Sequence, residues 1–204
     1  MNEFPNELKV KILEECQYLD CMAFRATSSK NYDVGNYALS RKQSFDFRHF
    51  AERKWRENEK KKRQNLIPKK MINFVNYMPN LQKIVLADLP CVFELADMIA
   101  LGKAAPQLKK FVIIQTENSQ WIGKEAFLGL VYFERLVNLK ISGWEPASIS
   151  KKGWTPYFET IPHGTLQKLV TLTIACRQET VSKVLQHILD NGVFMKKCVK
   201  AKVV

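Results

Sequence analysis

The sequence predicts an α/β fold, with N-terminal helices followed by a short solenoid built on a parallel sheet. The main observation is a pattern L-x-x-φ-x-φ, where φ is apolar, which recurs four times after residue 70. Helix-like segments separate the copies, and alternating strands and helices favour parallel pairing. The copies begin at Leu81, Leu108, Leu136 and Leu169, which are 27, 28 and 33 residues apart.

The composition excludes several classes of protein. The chain has 204 residues, 46% apolar and 25% charged, which suits one packed domain or two small ones. No apolar run approaches the roughly 18 residues of a membrane helix, and the first residues do not resemble a secretory signal. Five scattered cysteines predict reduced thiols in the cytoplasm or nucleus rather than a disulfide framework.

The net charge of +12 is unevenly distributed. Residues 41–70 carry 12 Lys and Arg against 4 Asp and Glu, whereas residues 1–40 carry 4 against 6. We therefore predict a helical motif over 1–40, a basic helical linker over 41–70 and a repeat region over 71–204. The linker contains Lys60, Lys61, Lys62 and Arg63. This cluster is a candidate nuclear localisation signal or phosphate-binding patch, with a solvated helix face as the alternative.

The first segment has the spacing of an amphipathic helix. Leu8, Ile12 and Cys16 recur at intervals of four with Leu13 beside them, which predicts an apolar stripe on one face. Pro5 suits the first helical position, because its missing N–H costs nothing there. A second short helix is expected around residues 21–27, and the polar segment 28–32 is expected to end the pattern.

These N-terminal residues resemble an F-box. That family opens with Leu-Pro-x-Glu-aliphatic, continues with an Ile-Leu pair and closes near Val-Ser-basic-x-aromatic. The corresponding residues here are Phe4-Pro5-Asn6-Glu7-Leu8, the pair Ile12-Leu13, and the segment from Arg25 to Tyr32. Three positions depart from the family pattern: Phe4 replaces Leu, Leu19-Asp20-Cys21 lacks the usual Asp-Pro, and Ser28 replaces Val.

The repeat region resembles the irregular leucine-rich repeats that often follow an F-box. Its period is near 28 residues, and it lacks the asparagine ladder of longer leucine-rich proteins. Trp144, just after the third copy, is a candidate substrate-binding residue, because Trp is enriched in binding hot spots; filling a gap between repeats is its alternative role. The intervening helices are expected at 71–77, 92–103, 124–133 and 179–190, with one more strand possible at 194–204.

The two resemblances together imply a substrate-recognition subunit of an SCF-type ubiquitin ligase. Such a subunit docks on a Skp-type adaptor, and through it on a cullin, while its repeats hold a protein substrate. The family's adaptor contacts carry over by position to Phe4, Pro5, Leu8, Ile12 and Leu13. No cofactor is implied, and the substrate is not identified.

The sequence offers little for catalysis. It contains no phosphate-binding glycine loop, no H-E-x-x-H and no G-x-S-x-G. Its histidines, His49, His163 and His187, are scattered, and the cysteines and histidines do not form the close four-ligand set of a structural zinc site. We therefore expect a protein that is not an enzyme and binds no metal.

Several alternatives stay open at this point. The N-terminal helices could be a hairpin that caps the core, and the repeat region an ordinary α/β domain. The positive charge could indicate a basic nuclear or nucleic-acid-associated scaffold, whose binding would weaken steeply with salt. The chain could also be a truncated or decaying family member, and its basic surface could match an acidic substrate.

Overall fold

The structure is a computed structural model that describes residues 4–48, 66–87, 92–115, 124–143, 162 and 168–175. Within these ranges it contains six helices and a parallel sheet of five strands, so the predicted α/β class with a parallel sheet is confirmed. In chain order the elements are α1 (Asn6–Glu15), α2 (Tyr18–Arg25), α3 (Ser29–Ser40), β1 (Ser44–Asp46), α4 (Leu66–Val75), β2 (Lys83–Ala87), α5 (Leu95–Ala104), β3 (Lys110–Gln115), a 3₁₀ helix (Lys124–Tyr132), β4 (Asn138–Gly143) and β5 (Thr171–Ala175).

The strands lie side by side in the order of the sequence, from β1 to β5, and every neighbouring pair is parallel. The four L-x-x-φ-x-φ copies form β2 to β5. Their apolar positions are in register: Ile84 pairs with Phe111, Phe111 with Leu139, and Leu139 with Leu172. The same motif residue therefore occupies the same level of each strand, and the strand predictions are confirmed.

The two faces of the sheet differ in environment. Ile84 and Leu86 belong to the main core, which also contains residues of α5 and the 3₁₀ helix. Val85 and Ala87 belong to a separate small cluster with Val112. Successive side chains of a strand point to opposite faces, so residues 83, 85 and 87 define the second face of the sheet. We call this the outer face.

The N-terminal helices share the main core with the sheet. The ring of Tyr18 in α2 lies 4.5 Å from the ring of Phe45 in β1 and 5.9 Å from that of Phe74 in α4. The buried Arg25 at the end of α2 places its guanidinium carbon 4.1 Å from the ring centroid of Tyr77, just after α4. Aromatic and cation–π contacts of this kind hold α2 against β1 and against α4 with the residues that follow it.

The third helix, α3, was missed by the sequence prediction, which ended the helical pattern at residues 28–32. The chain breaks there for only a few residues, and Ser28 caps the next helix: its Oγ accepts a hydrogen bond of 3.2 Å from the backbone N–H of Asn31. A serine that interrupts one helix can start another in this way. Gly35 then brings α3 close to α2, since a Cβ there would lie 2.1 Å from Cγ of Arg25.

Strand β1 and the first residues of α4 lie inside the segment 41–70, for which a basic helical linker is predicted. The sheet therefore begins earlier than the repeat motif indicates, with the buried Phe45 paired to Ile84. Three residues are too short a run for alternation to predict a strand. The middle of the predicted linker, residues 49–65, lies outside the described residues, as do the helix expected at 179–190 and the strand expected at 194–204.

The segment 124–133, predicted as a helix, forms a 3₁₀ helix that packs against α5. Two glycines make this contact close. A Cβ on Gly102 of α5 would lie 2.7 Å from Cβ of Tyr132, and a Cβ on Gly129 would lie 2.7 Å from Cβ of Met98. Real Cβ atoms do not approach so closely, so a side chain at either position would push the two helices apart.

Candidate functional site

Helix α1 carries most of the residues that the sequence resemblance singles out. It begins at Asn6, one residue later than predicted, and Pro5 occupies the N-cap position with an extended backbone. The carbonyl of Pro5 accepts hydrogen bonds of 3.1 Å from the N–H groups of Leu8 and Lys9. Glu7 lies in the first turn, where its charge favours the positive end of the helix dipole. The Pro-x-Glu segment thus initiates the helix.

Helix α1 has apolar side chains on two different sides. On the inner side, Leu13 is buried and Val10 packs against the main core. On the outer side, Phe4 is 62% exposed, Leu8 41% and Ile12 50%. Because helical residues four positions apart lie above one another, Leu8 and Ile12 share one face of α1, and Phe4 is exposed two residues before the helix begins. We call these three residues together the α1 stripe.

The α1 stripe represents a substantial unburied surface. The exposed fractions of its three side chains together equal about one and a half fully exposed side chains. Complete burial of one Leu, Ile or Phe contributes about 1.5–3 kcal/mol, so covering the stripe would contribute about 2–5 kcal/mol. Single exposed apolar residues are common, whereas two neighbours on one helix face with a third just before the helix are typical of a docking surface.

Leu13 does not belong to this stripe, although the sequence resemblance groups it with Ile12. It is only 5% exposed, and its backbone oxygen accepts a 3.3 Å hydrogen bond from the thiol of Cys21. Adjacent helical residues differ by about 100° around the axis, so a partner cannot reach both members of the pair. The structure therefore brings Phe4, Leu8 and Ile12 together and places Leu13 in the core behind them.

The C-terminal end of α1 is held by residues that follow α3. The ammonium of Lys42 donates a hydrogen bond of 2.6 Å to the carbonyl of Cys16 and another to the carbonyl of Glu14. Arg41 forms an ion pair with the carboxylate of Glu14. A cation at a helix C-terminus satisfies carbonyls that lack partners and favours the dipole. Helix α1 is thus fixed against α3 while its stripe stays exposed.

A groove of about 460 Å³ runs between α1 and α3 on another side of α1. Val10 and Tyr37 contribute apolar surface to it, and Glu7, Asp33 and Arg41 contribute charge. Glu7 and Asp33 lie on opposite helices, so carboxylates face the groove from both walls. The groove does not include the residues of the α1 stripe, and the two surfaces are distinct.

The cysteines described by the structure do not form a reactive centre. Cys21 is fully buried, and burial is the main cause that raises the pKa of its thiol above the ordinary value of 9.0. A buried protonated thiol is a poor nucleophile. Among the described residues, no group of three or more His, Cys, Asp and Glu side chains could hold a metal ion.

Several residues singled out in the sequence lie outside the described part of the chain. These residues are Trp144, Lys60, Lys61, Lys62, Arg63, His49, His163 and His187. Their roles stay predictions. Within the described part of the chain, the helices are all too short or too polar to cross a bilayer.

Comparison with models of known protein families finds no match for this chain, and comparison with curated proteins finds no significant similarity.

Proposed function

We propose that this protein is a non-catalytic substrate-recognition adaptor of an SCF-type ubiquitin ligase, acting in the cytoplasm or nucleus. Its N-terminal helices dock on a Skp-type adaptor, which connects them to a cullin. The repeat region forms a short leucine-rich-repeat-like solenoid that holds a protein substrate. The protein does no chemistry itself and acts by raising the local concentration of substrate near the ubiquitin-conjugating enzyme.

The observation that carries this proposal is the α1 stripe. Leu8 and Ile12 are exposed on a helix whose other side is anchored in the core, and Phe4 is exposed just before that helix. Of the other two contacts that the F-box resemblance suggests, Pro5 begins the helix, and Leu13 is buried and holds the helix in place. Such a helix suits insertion into an apolar groove of a partner.

The arrangement of the sheet supports the solenoid. Five parallel strands in sequence order, with equivalent motif residues in register, result when a chain winds repeatedly in one direction. Each strand–helix unit leaves an apolar face that its neighbour covers. The N-terminal helices pack against the first units through Tyr18 and Arg25, so a bound adaptor would have a fixed orientation relative to the repeats.

The test is co-expression with a Skp-type adaptor followed by size-exclusion chromatography at high salt. We expect a stable one-to-one complex, because apolar burial is insensitive to salt screening. The double variant Leu8→Asp with Ile12→Asp should lose the complex and keep the fold, since both side chains are exposed. The lost burial and the desolvation of two carboxylates together weaken binding by at least about 2 kcal/mol, or roughly thirtyfold.

A matched control carries the same change of charge away from the stripe. Asn6→Asp with Gln17→Asp places two carboxylates at exposed positions at the N-terminal ends of α1 and α2, where they favour the helix dipoles. This control should bind the adaptor like the wild type. A folded wild-type monomer that forms no complex would refute the proposal, and equal binding by the double variant would show that the α1 stripe is not the contact.

A further inference from the structure

The outer face of the sheet carries three exposed lysines on three neighbouring strands. Lys83 of β2 pairs in register with Lys110 of β3, and Lys140 lies on β4, in register with Val112. The side chains of all three lie on the same face of the sheet as those of Val85 and Val112, and all three residues are exposed. Neighbouring strands are about 4.8 Å apart and each residue rises about 3.3 Å, so the Cα atoms of Lys110 and Lys140 are roughly 8 Å apart. The three lysines form one patch, which we call the lysine face.

The charge of the lysine face is not neutralised locally. None of the three ammonium groups forms an ion pair with a described residue. Among the described strands, the acidic residue of the outer face is Asp46 of β1, which pairs with Val85 and is engaged by Arg48 in an ion pair of 2.6 Å. Like charges directly opposite one another on paired strands are destabilising. The repulsion between the paired Lys83 and Lys110 therefore destabilises the fold, and an anionic partner would reduce that repulsion.

The positive charge continues beyond the lysine face at the end of the sheet where β3 to β5 begin. Lys109 precedes β3, Arg135 precedes β4 and Lys168 precedes β5, and all three are exposed. The guanidinium of Arg135 donates to the neutral side-chain oxygen of Gln107. A basic rim therefore adjoins the lysine face along the repeats.

The neutral groups of the outer face help to identify the partner. Val85 and Val112 are buried, so the accessible surface consists of the ammonium groups and of half-buried side chains, which are Ile114, Asn138, Ser142, Thr171 and Thr173. The described outer-face positions of β2 to β5 include no aromatic side chain. Proteins that bind single-stranded nucleic acid combine positive charge with aromatic rings that stack on the bases. The lysine face offers positive charge with neighbouring hydroxyl and amide groups, a combination that suits carboxylates.

We propose that the lysine face binds an acidic segment of the substrate protein, rich in aspartate and glutamate. This inference rests on the proposed function, because it names the class of substrate that the repeat region would hold. Alternate side chains of an extended peptide are about 6.6 Å apart on one side. This spacing lies between the separation of the Cα atoms of Lys83 and Lys110, about 4.8 Å, and that of Lys110 and Lys140, roughly 8 Å. An extended acidic segment crossing the strands can therefore place successive carboxylates near successive ammonium groups.

The experiment measures binding of a short fluorescent peptide of alternating glutamate and alanine to the full chain by fluorescence anisotropy at low salt. The test variant combines Lys83→Gln, Lys110→Gln and Lys140→Gln. The control variant makes the same change of charge at exposed lysines of α4 and α5 and combines Lys69→Gln, Lys70→Gln and Lys103→Gln. Oligothymidine of similar length is the competing probe. Circular dichroism and adaptor binding verify that each variant is folded.

We expect the wild type and the control variant to bind the glutamate peptide equally, and the test variant to bind it roughly tenfold more weakly, since exposed ion pairs contribute a few tenths to 1 kcal/mol each. If the triple variant does not fold, Lys110→Gln alone should weaken binding about twofold to fivefold. Equal weakening of both triple variants, unchanged affinity, or tighter lysine-dependent binding of oligothymidine would each overturn the inference. Adaptor binding is measured on the same samples, so failure of the proposed function is seen separately from failure of peptide binding.

Discussion

Replacing Ile12 and Leu13 by alanine, one at a time, separates the folding role of α1 from its binding role. The two residues are adjacent and chemically alike, but Leu13 is 5% exposed and Ile12 is 50% exposed. Leu13→Ala would leave a cavity in the main core, where such changes cost about 2–5 kcal/mol. Helix α1 contacts mainly α3 and can partly relax toward it, so we expect the lower part of this range, about 2–3 kcal/mol.

The expected effect of Ile12→Ala on folding is much smaller. Half of its side chain is already in water, and alanine is the better helix former by up to about 0.7 kcal/mol. The free energy of unfolding should therefore change by less than about 1 kcal/mol. For a chain of this size 1 kcal/mol corresponds to about 2–4 °C in Tm, so Leu13→Ala should lower Tm by about 4–12 °C and Ile12→Ala by no more than about 4 °C.

The assay is thermal and urea unfolding followed by circular dichroism, together with adaptor affinity measured well below the lower Tm. Ile12→Ala should weaken adaptor binding about threefold to tenfold, because half an isoleucine no longer becomes buried in the complex. Leu13→Ala should bind almost normally while it is folded. The reasoning is refuted if Ile12→Ala is as destabilising as Leu13→Ala, or if folded Leu13→Ala loses the adaptor while Ile12→Ala keeps it.

Two further predictions concern packing and the buried thiol. Gly102→Ala should lower the free energy of unfolding by about 1–3 kcal/mol in urea denaturation, although alanine favours helices, because its Cβ would lie 2.7 Å from Cβ of Tyr132; unchanged stability would show that the contact relaxes freely. Burial raises the pKa of Cys21 above 9.0 in the folded protein. Its contribution to stability should be complete below pH 9.0 and lost as the pH rises through the folded pKa. The difference in unfolding free energy between wild type and Cys21→Ala should therefore shrink between pH 8 and pH 11, and a constant difference would contradict this.

The strands of the repeat region could be predicted because each repeats one local pattern. Four copies of L-x-x-φ-x-φ became β2 to β5 in a single register, since alternating apolar residues select the buried face directly. Strand β1 and helix α3 were missed for opposite reasons. Strand β1 is only three residues long. Helix α3 follows Ser28, which predicts the end of a helix from the local sequence but caps the start of α3 in the structure.

The candidate surfaces were predictable only in part. The motif resemblance found α1 but grouped Leu13 with Ile12, because a motif records which residues occur together and not which way each side chain points. The lysines of the outer face were not singled out at all, although the alternation of side chains along a strand could have found them. Lys83 and Lys110 stand two residues before Val85 and Val112, so each lysine is expected on the same face as its valine. The alternation within each strand could not show that these strands are neighbours and in register.

Local spacing, helix propensity and the alternation of apolar side chains were enough to predict the class of fold, the positions of the repeating strands and, to within one residue, the start of α1. The tertiary structure alone decided which apolar residues of α1 are left exposed and which charges become neighbours. Burial depends on what packs against a helix, and here α3 and Cys21 cover Leu13 while Phe4, Leu8 and Ile12 stay uncovered. Likewise, Lys83, Lys110 and Lys140 are 27 and 30 residues apart along the chain and form one patch only through the parallel pairing of their strands.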